Sequence, residues 1–480
     1  MNLRIARILV GLAVGVSLAA AASGQERFRQ KIPAPDPRPE LILPRLESVT
    51  LTNGLAITVV YREAAPMTSL HLIFSGGEQV SPEKTPGLAT LVSGMFGQGT
   101  QLHTAAEMEE RIESIGGSMS VSADQDVVLF GFHFLEEYLD QALDIVAEMI
   151  LFPRLGDREV KIVQSMVSAE MAAQERNPVF MAHRVLGKIL FAGHPYEKFG
   201  FDRSAIRTWN SRDLLDYWDR YIRPNNTQVL LTGSVNINAA SRKISHVLNL
   251  WRPRDLTPTP LPPPRPPDRT RICFVDLPQA SQCTICAGTV LPALVPGERF
   301  ALLTLGQLLG GSIDSRLFLN LRESKGYAYE TRSRPEFYRA GGAFSLQAIV
   351  RPEVVAASVR EIFFEIRLLT RESASSKEIE EAKFILLGGF PLQLDRYDNY
   401  SGYIAALKAT GDGEELWSRF SENVLEVDSD RVLKAAQKYL SQPFVVVIAG
   451  PREICRDQLA EFDEVDIFDA RGQFLETIKK

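Results

Sequence analysis

The apolar and polar positions fall into blocks with different periods. Arg4 and Arg7 precede an apolar run from Ile8 to Ala22, and the small residues Ala22, Ser23 and Gly24 then stand before Gln25, Glu26 and Arg27. A basic start, a short apolar run and a small-residue boundary make the pattern of a secretory signal peptide. The 15 residues of the run are fewer than the ~20 a helix needs to span hydrocarbon. Residues 1–24 are therefore expected to be a signal peptide, and the mature chain to be periplasmic or secreted without a stable membrane anchor. Residues 25–45, with Pro33, Pro35, Pro37, Pro39 and Pro44, are expected to form an extended tether. From Ser48 to Tyr61 two apolar segments flank Asn53-Gly54, the strongest short hairpin signal, and Ser69–Phe74 predicts a further strand. Helices are predicted over Pro86–Phe96, Ala105–Ile115, Leu135–Leu151 and Asp157–Gln174, with a strand pair near Ser118–Phe134 and a closing strand at Val229–Gly233.

Between Arg252 and Thr270 the pattern stops. Pro253, Pro258, Pro260, Pro262, Pro263, Pro264, Pro266 and Pro267 exclude helix and central strand and predict a stiff spacer. Beyond it the order of elements repeats. Strands are predicted at Ile272–Val275 and Cys283–Leu291, a helix at Glu298–Leu309, a glycine pair at Gly310-Gly311 and a helix near Ser315–Glu323. Two more strands follow, then helices at Pro352–Thr370 and Ser376–Leu387. Tyr403–Gly411 and the tail from Arg452 to Lys480 read as helical or loose. Hairpins followed by helix pairs, twice over, predict an α+β fold of two homologous lobes, each with antiparallel sheet layers packed by helices. The expected division is 46–251 for the first lobe, 252–270 for the Pro-rich linker, 271–455 for the second lobe and 456–480 for a tail.

Composition narrows the classes of function. Of 480 residues, 45% are hydrophobic and 23% charged, a globular balance. The net charge of −6, or −8 without Arg4 and Arg7, provides no basic field for a nucleic acid. The cysteines Cys273, Cys283, Cys286 and Cys455 are too few for a disulfide-built scaffold. Cys283 and Cys286 fall at i and i+3 of a predicted strand, so they point to opposite faces, and no second pair completes a zinc site. There is no G-x-S-x-G elbow and no Walker loop, and the six histidines never fall at i and i+4 of one helix. His71 and His133 lie in apolar strands, where a hydrogen-bonded structural histidine is expected. His194, before Pro195, is expected to shape a loop.

The segment Gly87–Thr100 reads GLATLVSGMFGQGT. Leu88, Leu91, Val92 and Met95 form the buried stripe of a short helix, which leaves Thr90, Ser93, Gly94 and Gly97 on the other side. This segment resembles the pitrilysin/insulinase family of zinc peptidases, the inverzincins, which includes the mitochondrial processing peptidase. In that family the same helix carries H-x-x-E-H between a Gly-Leu-Ala start and a Gly-Thr end. By the resemblance, the first zinc histidine falls on Thr90, the general-base glutamate on Ser93 and the second histidine on Gly94. A hydroxyl and a glycine cannot replace imidazoles as zinc ligands, and Ser93 is a poor proton acceptor beside a carboxylate. The family's third ligand, a glutamate on a later helix, falls on Glu170, whose context Val167–Met171 and Asn177-Pro178 resembles the family's; without co-ligands it reads as a solvated or salt-bridged helix carboxylate. No metal and no cofactor are expected in this chain.

The resemblance continues through His194-Pro195-Tyr196, Ser211–Leu214, Tyr221–Asn226, Leu309-Gly310-Gly311 and Ser315-Arg316-Leu317, and covers about residues 46–450. It implies that the two lobes close as a clam-shaped chamber. In LRESKGYAYE, Leu321–Glu330, Arg322 and Tyr329 have the seven-residue spacing of an arginine and a tyrosine that reach the substrate in active relatives. A phenol can donate to the oxyanion of the scissile carbonyl, and a guanidinium can hold the peptide backbone. Some bacterial members work as pairs, in which a subunit with a degraded zinc motif supplies this arginine and tyrosine to a zinc-bearing subunit. The resemblance thus implies a pseudopeptidase, inactive alone, that forms part of a heteromeric zinc metalloendopeptidase. Its expected partners are a zinc-bearing homologous subunit and an unfolded peptide or protein substrate, with no nucleic acid. The alternatives are a peptide-binding or scaffold protein unrelated to proteolysis, and an autonomous zinc peptidase, for which the ligands are missing.

Overall fold

The Asn53-Gly54 turn closes a hairpin in which β1 (Leu46–Thr50) pairs antiparallel with β2 (Ala56–Tyr61). Gly54 has φ +86°, a backbone region that costs glycine nothing and side-chain-bearing residues a good deal. The structure, a computed structural model, describes residues 44–480 except 64–65, 257–259, 294–296, 396, 412–415 and 417. The expected signal peptide and all but Pro44 and Arg45 of the expected tether lie outside the described residues.

Strands β3 (Met67–Ser75), β4 (Ser118–Ala123), β5 (Val127–Leu135) and β6 (Thr227–Gly233) complete a six-stranded sheet in the order β1-β2-β6-β3-β5-β4. The second half supplies β7 (Arg271–Asp276), β8 (Cys283–Pro292), β9 (Ala328–Tyr338), β10 (Gly341–Val350), β11 (Val445–Gly450), β12 (Glu464–Phe468) and β13 (Phe474–Lys479). Their order is β13-β12-β7-β11-β8-β10-β9. The block β2-β6-β3-β5-β4 and the block β7-β11-β8-β10-β9 have the same connectivity. Each has one parallel pair, β2 with β6 and β7 with β11, and is otherwise antiparallel. Two homologous α+β lobes follow from that correspondence. Among the described residues from Arg252 to Thr270 there is neither helix nor strand. The tail departs from expectation. After a helix at Arg452–Leu459 it forms β12 and β13, which extend the second sheet, because Val465 and Ile467 alternate into the core at 0% exposure.

Each lobe also lends the other a helix. Pro178–Leu190, capped by the Asn177 side chain with proline at its first position, packs on β8 and β11 of the second sheet. Its Met181, Ala182, Val185, Leu186 and Leu190 share a core with Cys273, Cys286, Val445 and Val447. In return the helix Tyr397–Thr410 packs on β3, β5 and β6. Both central strands are therefore covered on two faces, and seven consecutive residues of β3 are buried.

One of those is His71. The hydrogen-bonded state expected of both strand histidines holds for His133, whose Nδ1 lies 2.7 Å from Ser69 Oγ. His71 Nδ1 is buried without a partner, and burial lowers the imidazole to a pKa of about 4. Because the folded value lies below the unfolded one of 6.5, the unfolded chain takes up the proton first on acidification. Stability should be fully present above pH 6.5 and be lost progressively down to about pH 4, by on the order of 3 kcal/mol. Chemical denaturation across this range should show the slope in the native chain and a flatter profile in His71→Leu; parallel profiles would refute the assignment.

Candidate functional site

The helix Leu88–Met95 buries Leu88, Ala89, Leu91, Val92 and Met95, as its apolar spacing predicts. Its first turn is capped from a distance. Gly87 offers no side chain, and the carboxylate of Glu78, 0% exposed, takes the place of a local cap. Glu78 Oε1 accepts from Thr90 N at 2.8 Å and from Thr90 Oγ1 at 2.7 Å, and Oε2 accepts from Ser81 Oγ at 2.8 Å. Burial pushes the Glu78 carboxyl above its ordinary range, while the Thr90 and Ser81 donors pull it down. Thr90, at the position of the first zinc histidine, is thus committed to a buried carboxylate.

Ser93 donates to Thr90 O at 2.8 Å, which turns its hydroxyl back onto the helix. At Gly94 a Cβ would stand 2.6 Å from Val163 Cγ1. Val163 is 1% exposed and belongs to the core, on the helix Asp157–Gln174. The missing side chain at Gly94 is the space that Val163 fills. Zinc does not fit these residues: one ligand position is a hydroxyl already bonded, another has no side chain, and the volume an imidazole needs is occupied. Among the described residues no group of three or more His, Cys, Asp and Glu could hold a metal ion. Glu170 is exposed on the Val163 helix, where its Oε1 accepts from Gln174 Nε2 at 3.2 Å.

Thr90 and Glu170 line a cavity of about 560 Å³ whose other wall is β9 and β10, through Arg334, Glu336, Tyr338 and Ser345. The lobes are joined beside it. Asp126 Oδ1 accepts from Tyr196 OH at 2.9 Å and its Oδ2 from Arg339 N at 2.7 Å, while Tyr196 OH accepts from Ala340 N at 2.9 Å. Burial raises the Asp126 carboxyl, and the Arg339 and Tyr196 hydrogen bonds act against it. His194 shapes the approach: its Nδ1 accepts from Tyr196 N at 3.1 Å and its Nε2 donates to Pro262 O at 2.7 Å.

Arg322 and Tyr329 lie elsewhere. They are not among the residues lining that cavity, and Tyr329 is at the opposite end of β9 from Tyr338, nine residues or roughly 30 Å along the strand. Arg322 lies on the π-helical stretch Phe318–Ser324, and Gly326, with φ +62°, turns the chain toward β9. Tyr329 interrupts the register, since Ile349 pairs with Glu330 but Val350 with Ala328; such a bulge re-aims a side chain. Arg322 Nη1 donates to Tyr329 O at 2.8 Å, and its guanidinium stacks over the Phe318 and Tyr329 rings at 4.9 and 5.4 Å. The two side chains are thus brought together at an exposed edge, Tyr329 being 67% exposed. Of the residues that organise the site, Glu78, Asp126 and Val163 carry no motif that marks them in the sequence, because they meet their partners only through the fold.

Two lobes of matching topology around an inter-lobe cavity, with a helix where a metal motif would be, define a peptidase-like architecture. Two family profiles match in succession: the one described as insulinase, peptidase family M16, over residues 57–199, and the one described as the peptidase M16 inactive domain over 208–386. The chain is 22% identical over 354 residues to the uncharacterized zinc protease YmxG of Bacillus subtilis, covering 73% of this chain and 85% of that protein. It is 23% identical over 354 residues to the non-peptidase homolog YmxG of Helicobacter pylori, covering 71% and 79%. The crystal structure of a protease from Helicobacter pylori superimposes with a TM-score of 0.80 at 22% identity, covering 85% of this chain and 100% of that one. The chain belongs to peptidase family M16, the pitrilysin/insulinase family, as a member that lacks the family's zinc motif.

Proposed function

We propose that this chain is an exported, non-catalytic subunit that completes the active site of a zinc-bearing homologous partner, with unfolded peptide held between the two. The observation that carries the reading is the contrast between the lobes. In the first, Thr90, Ser93 and Gly94 are absorbed into capping and packing. In the second, Arg322 and Tyr329 are held against each other and face solvent. A stacked, exposed guanidinium and phenol with no role in the core suit a site that another surface closes. There Tyr329 would donate to the oxyanion of a scissile carbonyl and Arg322 would hold the peptide backbone. The zinc and the general base would belong to the partner. A Helicobacter pylori relative named as a zinc protease, 22% identical over 411 residues, beside the non-peptidase homolog of the same organism, supports the pairing.

The test is reconstitution. The mature chain should co-purify with a zinc-bearing M16 homologue from its own cell, and the mixture should hydrolyse an unfolded polypeptide, with chelator sensitivity, far faster than either chain alone. Stoichiometric zinc and chelator-sensitive hydrolysis in the isolated chain would overturn the proposal. The inter-lobe cavity favours one alternative, a peptide-binding protein unrelated to proteolysis. Tight binding of extended peptides by the isolated chain, with no zinc-bearing partner, would establish that reading instead.

A further inference from the structure

All four cysteines are buried and none is joined in a disulfide, but they are not equivalent. Cys273 on β7 and Cys286 on β8 both pair with Val447 of β11, from opposite sides. Two strand spacings, about 9.6 Å, separate them, beyond the ~7 Å at which a disulfide becomes impossible without backbone movement. Cys286 also shares the core under the helix Pro178–Leu190. Cys283, three residues earlier on β8, points to the other face. There its Sγ lies 3.4 Å from the Sγ of Cys455, 172 residues later in the chain.

The contact is built by its surroundings. Cys455 lies in the helix Arg452–Leu459, which begins two residues after the end of β11. Gly450, the last residue of β11, has no Cβ where one would stand 2.3 Å from Cys283 Sγ, so the thiol occupies the notch the glycine leaves. Cys455 Sγ is otherwise 3.7 Å from Pro352 O, and both cysteines are 0% exposed. Bonded sulfurs lie about 2.0 Å apart, so closing the gap asks each side chain to move by less than about 1 Å.

We infer that Cys283 and Cys455 form a disulfide when the chain folds in an oxidising compartment, pinning β8 to the helix that leads into β12 and β13. The step balances with a disulfide-bearing oxidant, such as oxidised glutathione or a protein disulfide donor. One cysteine thiolate attacks an oxidant sulfur and releases one thiol; the other thiolate attacks the mixed disulfide and releases the second. Two protons and two electrons leave the pair, and the oxidant is reduced to two thiols. The buried site excludes the oxidant from the finished fold, so exchange belongs to folding, before the helix docks.

The full mature chain, unfolded under reducing conditions, should be refolded in a glutathione redox buffer, and its free thiols then counted with a maleimide under denaturant. The expected result is two free thiols, on Cys273 and Cys286, and a proteolytic peptide pair linked between Cys283 and Cys455. Reduction should lower the Tm by about 5 °C, and Cys455→Ala should abolish that response while leaving the other thiols free. A refolded native chain with four free thiols, or a linkage between any other pair, would overturn the inference. The peptide map needs no variant, so a poorly folding Cys455→Ala would not obscure the answer.

Discussion

Thr90→His, Ser93→Glu and Gly94→His, introduced together to restore the family's zinc motif, should yield a less stable protein that still binds no zinc. At Gly94 the new Cβ meets Val163 Cγ1 at 2.6 Å before the imidazole is placed, and Val163 is locked in the core. Overpacking of this kind costs about 1–3 kcal/mol. Thr90→His removes the hydroxyl that donates to Glu78 Oε1 and leaves a fully buried carboxylate with one donor fewer, a further ~1–3 kcal/mol. The sum, on the order of 4 kcal/mol, should appear as a lower denaturation midpoint, and atomic absorption should find no bound zinc. Trimming the obstacle with Val163→Ala in the same background should recover part of the stability. Stoichiometric zinc in the triple variant at native stability would mean that the cradle is open after all.

The second large effect falls on the proposed partner. In a reconstituted pair, Tyr329→Phe should reduce kcat/KM on an unfolded substrate by roughly 10²-fold, the usual cost of one oxyanion donor. Arg322→Ala should do comparable damage and raise KM as well, because a guanidinium that orients the backbone acts before the transition state. Arg322→Lys should rescue little, since an ammonium cannot reproduce the planar fork. All three variants should keep the native Tm closely, because these side chains face solvent and surface changes are usually worth within about 0.5 kcal/mol. Unchanged turnover with Arg322→Ala and Tyr329→Phe combined would remove this pair from the active site.

What could be read from the chain follows the range of the forces involved. The hairpin at Asn53-Gly54, the helix Asp157–Gln174 and the buried stripe of Leu88–Met95 are set by local spacing and turn chemistry, and all were legible. The helix Pro178–Leu190 is not among the predicted elements although Asn177-Pro178 is a helix start, because the sheet that takes its apolar face is encoded in the second half of the chain. The strands β12 and β13 are five and six residues long and carry charged residues, so only the pairing of β12 with β7 and of β13 with β12 makes them strands. At the site, the deficit at Thr90, Ser93 and Gly94 was plain from residue types. The use made of it was not, since Glu78 and Val163 reach those positions only through space.

The reciprocal helices have a consequence for how such a protein can be inherited. A duplicated lobe usually remains a portable module, free to be cut away or fused elsewhere. Here each sheet is roofed by chain from the opposite repeat, so a severed half would present bare β-structure to water. The two copies have become obligate companions, and divergence in one is constrained by the surface it lends the other.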